Sequence, residues 1–154
     1  MRPLTALPLR SMAIAFVAAA MAGCATGPAF VAPEPPSAGR AVVYVYRANS
    51  LPGAGVKPEL WIGASPIGAM LNGSYVRAEV LPISTLVSSP DCRPVGLNVA
   101  LQPGATAFFQ LELTNKSFEL AGKHYFDYGC RIVQRSKTEA LDQMRGLRLA
   151  TPQH

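Results

Sequence analysis

Residues 40–47 read RAVVYVYR, and the alternation inside this run decides the fold class. In an extended chain Ala41, Val43 and Val45 project to one side and Val42, Tyr44 and Tyr46 to the other. β-Branched and aromatic residues are the types that favour a pleated, packed surface. Both faces are apolar, so the spacing predicts a strand covered on both sides and central in a sheet.

Working outward, Asn49, Ser50, Pro52, Gly53 and Gly55 read as a loop. Glu59 to Gly63, a turn from Gly63 to Pro66 and a short strand near Ile67 to Leu71 form a meander. Asn72-Gly73 between two extended runs predicts a type I′ hairpin, whose two central residues both need positive φ. In the strand from Ser74 to Leu81, Val76, Ala78 and Val80 share one face and Tyr75, Arg77 and Glu79 the other. Pro82 breaks that run, Ile83 to Val87 returns, and Ser88 to Asp91 make a polar turn. Val95, Leu97, Val99 and Leu101 alternate with small or polar residues. After the Pro103-Gly104 turn, Ala107, Phe109, Leu111 and Leu113 do the same.

Asn115 to Gly122 reads as a connection, and His124 to Gln134 as a further strand with Phe126, Tyr128, Cys130 and Ile132 on one side. The period then changes. Ser136 and Glu139 match a capping box, and Leu141, Met144 and Leu147 fall on one helical face. Thr151 to His154 read as a frayed end. About eight short strands and one short C-terminal helix predict a mainly β domain, an antiparallel β-sandwich or curled sheet.

Several of these runs together carry a resemblance: Ala41 to Arg47 (AVVYVYR), Trp61-Ile62-Gly63 with Gly68 behind it, Asn72 to Tyr75 (NGSY), Gly104 to Gln110 (GATAFFQ), and Glu139 to Leu141. In order and spacing the chain resembles small bacterial lipoproteins of domain-of-unknown-function family 2846, over about residues 40–147. Pro82-Ile83 departs from the Pro-Gly common at that place. The resemblance implies a β-rich fold and an envelope location, and it brings no established activity.

The N-terminus points to the same compartment. Arg2 and Arg10 supply a positive n-region and Met12 to Ala22 an uncharged h-region, too short to span a bilayer. Met21-Ala22-Gly23-Cys24 resembles the lipobox Leu-Ala-Gly-Cys, with Met in place of Leu. That resemblance implies removal of residues 1–23 as a signal peptide and acylation of Cys24. Multiple acyl chains would hold the protein at the membrane. A plainly secreted chain is the alternative. Ala25, where an Asp resembles an inner-membrane retention signal, favours the outer membrane, with the protein facing the periplasm. Residues 24–39, rich in Pro, Ala and Gly, read as a semi-extended tether that lets the domain stand off the lipid. The folded domain is expected over 40–150.

Candidate chemistry is sparse. Without the leader, 12 basic residues face 9 acidic ones, scattered without the basic stripe that nucleic-acid binding needs. Once Cys24 is acylated, Cys92 and Cys130 remain as an even pair in an oxidising compartment, which predicts a disulfide; two free buried thiols are the alternative. The only histidines are His124 and His154 and there is no CxxC, so no metal site is expected. Ser65 lies outside any G-x-S-x-G motif. His124 and Asp127, three apart on a strand, fall on opposite faces. Glu59, Glu79, Glu112 and Glu119 are candidates for paired carboxylates, but Glu79 and Glu112 sit at outward positions among polar neighbours. Glycines 53, 55, 63 and 68 lack a P-loop ending. Tyr44, Tyr46, Trp61, Tyr75 and Phe108 could share an exposed binding patch or be covered by the Leu141, Met144 and Leu147 stripe. The reading that follows is a lipid-anchored, non-enzymatic binding or structural module without cofactor, whose partner is an unidentified envelope protein or glycan. The alternative is a hydrolase acting on peptidoglycan or another envelope polymer.

Overall fold

Ala41–Arg47 form β1, and all seven of its residues are buried. A computed structural model describes residues 25–150; the leader, Cys24 and the expected frayed end at 151–154 lie outside the described residues. Eight further strands follow: β2 (Glu59–Ile62), β3 (Ser65–Ala69), β4 (Ser74–Val80), β5 (Ser84–Ser88), β6 (Gly96–Ala100), β7 (Thr106–Leu120), β8 (Lys123–Arg135) and β9 (Arg148–Leu149). One helix, α1 (Lys137–Gln143), sits between β8 and β9.

The strands make two sheets, ordered β8-β7-β1-β4-β9 and β3-β2-β5-β6, with β1 in the middle of the larger one. The expected mainly β architecture with a short helix is what the chain adopts. Two of the pairings are parallel, β1 with β7 and β4 with β9, and the other five are antiparallel.

The alternation in β1 assigns its two covers. Ala41, Val43 and Val45 pack with Leu60, Ile62, Val87 and Val99 of the smaller sheet and with Phe109 and Leu111 of β7. Val42, Tyr44 and Tyr46 pack with Tyr75, Phe108 and the Ala140, Met144 and Leu147 side of the helical segment. Ser136 caps α1, its Oγ accepting from the Glu139 amide at 3.3 Å. The Glu139 carboxylate completes no capping box. It pairs with Arg135 at 3.1 Å instead.

Three connections differ from expectation. The Asn72-Gly73 pair makes no hairpin, because β3 and β4 belong to different sheets. Gly73 takes positive φ, 68°, while Asn72 does not. Met70 and Leu71 are drawn into the interior, so the chain uses this corner to change sheets. The Asn72 side chain pins the preceding loop there, donating to Asn49 Oδ1 at 2.7 Å and accepting from the Ser50 amide at 3.0 Å. Pro103-Gly104 is likewise a change of sheet, from β6 to β7.

The type I′ pattern occurs elsewhere. β7 does not stop at Leu113 but runs to Leu120, and Leu120 pairs with Lys123 across Ala121 and Gly122, both at positive φ (51° and 72°). Asn115, Lys116 and Ser117 interrupt the apolar alternation because the outer part of this hairpin is wet on both faces. From Thr114 to Leu120 every residue of β7 is exposed, so the ladder holds there without a buried face.

The expected tether over 24–39 is, in its described part, a strap laid on the domain. Ala29 bridges Arg148, the Phe30 amide donates to Leu147 O at 2.8 Å, and the Leu149 amide donates to Pro28 O at 2.9 Å. The Phe30 ring meets Tyr44 and Tyr75 edge-on at 6.0 and 5.3 Å. Farther on, the Glu34 amide donates to Tyr44 Oη, and Ser37 donates twice to Glu79. Composition gave an extended, semi-rigid segment. Phe30 supplies the apolar contact that fastens it.

Cys92, in the turn after β5, and Cys130, in β8, stand at bonding distance with Cα atoms 4.4 Å apart. The pair spans 38 residues and ties the smaller sheet to the edge of the larger one. Loop closure of that length stabilises by about 3–4 kcal/mol through the unfolded chain. The Cys92→Ala/Cys130→Ala double variant should lose that much in chemical denaturation, and reductant should bring the wild type to the same midpoint. Tyr46 supplies a second test. Burial pushes its phenol from 10.0 up to about 12, and its Oη donates to Gln143 Oε1 at 2.8 Å. The folded chain keeps a proton that the unfolded chain releases, so this stability is full below pH 10 and declines towards about 12. Ultraviolet titration should show Tyr46 ionising with the unfolding transition, and Tyr46→Phe should reduce that loss, leaving the smaller part from Tyr75, whose phenol is also pushed up by burial.

Candidate functional site: the notch between β1 and the long hairpin

β1 ends at Arg47 while its parallel partner continues: the β1–β7 register stops at Tyr46 opposite Gln110, and β7 runs on to Leu120. The overhang leaves an open cavity of about 380 Å³. Arg47, Ala48, Ser50 and Pro52 wall one side, and Gln110 to Leu113, Asn115 and Tyr128 wall the other. The loop can lie this close because residue 53 is glycine. Its φ is +75°, and a Cβ there would stand 2.6 Å from Leu113 Cδ1 and 3.3 Å from the Tyr128 ring.

Arg47 continues the face of Ala41, Val43 and Val45 and is 2% exposed. Its Nη1 donates to Val56 O and, at 3.0 Å, to Met70 O, and its Nη2 donates to Gly53 O at 2.7 Å. Carbonyl dipoles solvate the guanidinium but do not neutralise it, and burial pulls its pKa below the ordinary value. No carboxylate among the described residues pairs with it. The nearest carboxylate in the cavity wall, Glu112, is taken: one oxygen pairs with Arg131 at 2.7 Å and the other with Arg135. The notch therefore holds an excess positive charge beside amides, a phenol and the apolar side chains of Leu111, Leu113 and Pro52.

The residues singled out from sequence are distributed differently. Cys24 lies outside the described residues, and Cys92 and Cys130 are together. His124 and Asp127 are exposed on β8, opposite Glu119 and Lys116, and no dyad forms. Ser65 is exposed at the start of β3. Glu59 is exposed on β2. Glu79 accepts from Arg77 and Ser37, which hold its carboxyl below the usual range. Glu79 and Glu112 lie on β4 and β7 with β1 between them, and both are half-buried and ion-paired, not solvated. The aromatic patch is not assembled. Tyr44, Tyr46, Tyr75 and Phe108 lie beneath α1 and Phe30, while Trp61 is half-buried on the other sheet.

Two features were missed. Arg47 was one basic residue among many, although its inward parity in RAVVYVYR was readable. The outer hairpin carries Phe118 and Tyr125, 51% and 41% exposed and stacked at 5.5 Å, with Leu120 62% exposed beyond them. That pairing follows from a register that no local signal announced.

No known protein family, curated protein or solved structure matches the chain.

Removing the guanidinium leaves the buried Met70 carbonyl without a donor, while the carbonyls of Gly53 and Val56 can turn to water. Arg47→Met should therefore cost about 2 kcal/mol, read as a lower denaturation midpoint, with faster amide exchange confined to residues 48–58.

Proposed function

We propose that this protein is a lipid-anchored component of a bacterial cell envelope that binds a carboxylate-bearing ligand in the notch and does not transform it. The observation that carries the binding half is Arg47, a buried cation without a carboxylate partner in the wall of an open cavity. Nη1 and Nη2 already donate to three carbonyls, so a carboxylate in the notch is drawn by the uncompensated charge rather than gripped by the whole guanidinium fork. The apolar side chains around it suit the end of a short chain, such as the C-terminus of an envelope peptide.

The lipobox at Cys24 supports the location, and so does the Cys92–Cys130 pair, which suits an oxidising compartment. Ala25 behind the cysteine favours the outer membrane with the domain in the periplasm, and membership of family 2846 belongs to the same reading. Against a hydrolase stands the arrangement of the polar residues: His124, Ser65 and the candidate carboxylates lie on separate elements and do not converge.

Both halves have a direct measurement. Metabolic labelling with a fatty-acid analogue should mark the wild type and not Cys24→Ser. For binding, the acylated chain in detergent is titrated with N-acetyl-alanyl-alanine and with its C-terminal amide, followed by calorimetry. The acid should bind and the amide should not. Asn115→Ala, which leaves the Arg47 bonds intact, should weaken the acid severalfold, and rising salt should weaken it further. Equal binding of acid and amide would remove the carboxylate from the proposal.

A further inference from the structure

We infer that the domain lies flush against the bilayer, with the β9 edge of its larger sheet turned to the lipid and the β7–β8 hairpin turned away. The inference rests on acylation of Cys24 as proposed above, and it follows from where the chain after Cys24 is fastened. A trans peptide fixes consecutive Cα atoms 3.8 Å apart, and the very next residue, Ala25, is 5% exposed.

The residues that follow are held just as closely. A Cβ on Gly27 would stand 2.3 Å from Leu149 O, so that residue lies directly on the β9 backbone. Ala29 bridges Arg148, and Pro28 and Phe30 exchange backbone bonds with Leu149 and Leu147. Only Ala25 and Thr26 separate Cys24 from the first fastened residue, Gly27, so at most about 10 Å of chain lies between the acylated residue and the sheet edge, far short of the stand-off that the Pro-rich composition suggests.

The same edge carries groups suited to a lipid surface. Arg148 is exposed and its Nη1 is held at 3.2 Å by Gly27 O, which aims a cation beside the anchor. Val31, two residues beyond the bridge, is 91% exposed. A basic and an apolar side chain together suit the headgroup boundary.

Strand order sets what faces the other way. β9 and β8 are the opposite edges of the five-stranded sheet, and four inter-strand spacings put them about 19 Å apart. The hairpin that ends at Ala121 and Gly122 grows from the far edge. In this orientation the exposed Phe118 and Tyr125 meet the aqueous side.

The test uses the full acylated chain reconstituted in phosphatidylcholine vesicles containing some phosphatidylglycerol. A fluorophore is carried at Val31→Cys or at Leu120→Cys, both exposed positions, and lipids with spin-labelled headgroups serve as quencher. Mass measurement first establishes acylation of Cys24. With acylation present, quenching at position 31 should exceed that at position 120 severalfold. A flexible Gly/Ser insertion of about ten residues between Cys24 and Ala25 should abolish the difference by restoring slack. Equal quenching at both positions, stronger quenching at 120, or no effect of the insertion overturns the orientation while leaving the lipoprotein reading intact. Absence of the acyl group overturns both.

Discussion

β1 has apolar side chains on both faces, so it must be covered twice, and the rest of the chain supplies the two covers. A fully buried Val or Tyr-sized side chain contributes on the order of 1.5–3 kcal/mol, so neither face of a seven-residue strand can be left to water. The smaller sheet covers the Ala41, Val43 and Val45 face. The other face is too long for α1 alone, because the helical segment reaches Tyr44, Tyr46 and Phe108 while Phe30 reaches Tyr44 and Tyr75. The strap is thus part of the core that a simple two-sheet sandwich would lack. Its contacts with the Glu79 and Tyr44 side chains are polar, which places a hydrogen-bonded seam over an aromatic interior.

That constraint also explains what could be read from the residues. The two-faced pattern of RAVVYVYR, the alternation around Val76 and Phe109, and the helical stripe of Leu141, Met144 and Leu147 are burial signals, and burial is what side-chain periodicity records; on the helix Ala140 is the fully buried residue and Leu141 only partly so. Sheet membership is not a local property. Asn72-Gly73 has the composition of a hairpin turn, yet the apolar Met70 and Leu71 before it belong between the sheets, and tertiary packing overrode the turn preference. Ala121 adopts positive φ because the long ladder on either side fixes its ends. A strap made of Pro, Ala and Gly has no period at all. One phenylalanine in the right place converts it from spacer to structure.

The candidate site was the least legible part for a related reason. Its chemistry comes from a mismatch of lengths: β1 stops at Arg47 and β7 does not stop beside it. Neither length is unusual alone, and no motif marks the place where they diverge. The Cys92–Cys130 pair was readable because parity and compartment are compositional facts. Arg47 was readable only in part, since parity gives its direction but not the absence of a carboxylate to meet it.

The parallel pairing of β1 with β7 decides where the overhang falls. In a parallel pair both strands run toward the same end, so the surplus length of β7 emerges beyond Arg47. An antiparallel β7 would have placed it beside Ala41. Because β4 runs against β1, Ser74 stands opposite Arg47 and β9 joins at that end, with Ser74 facing Arg148. The notch, the hairpin base and the strap's attachment therefore share one end of the sheet at different edges. A cation held there by three carbonyls is stable enough to persist and is not neutralised. The three carbonyls fasten the loop at Gly53 and Val56 and the corner at Met70 to the end of β1, so the bonding that closes this end of the sheet is also what leaves an uncompensated charge beside the overhang.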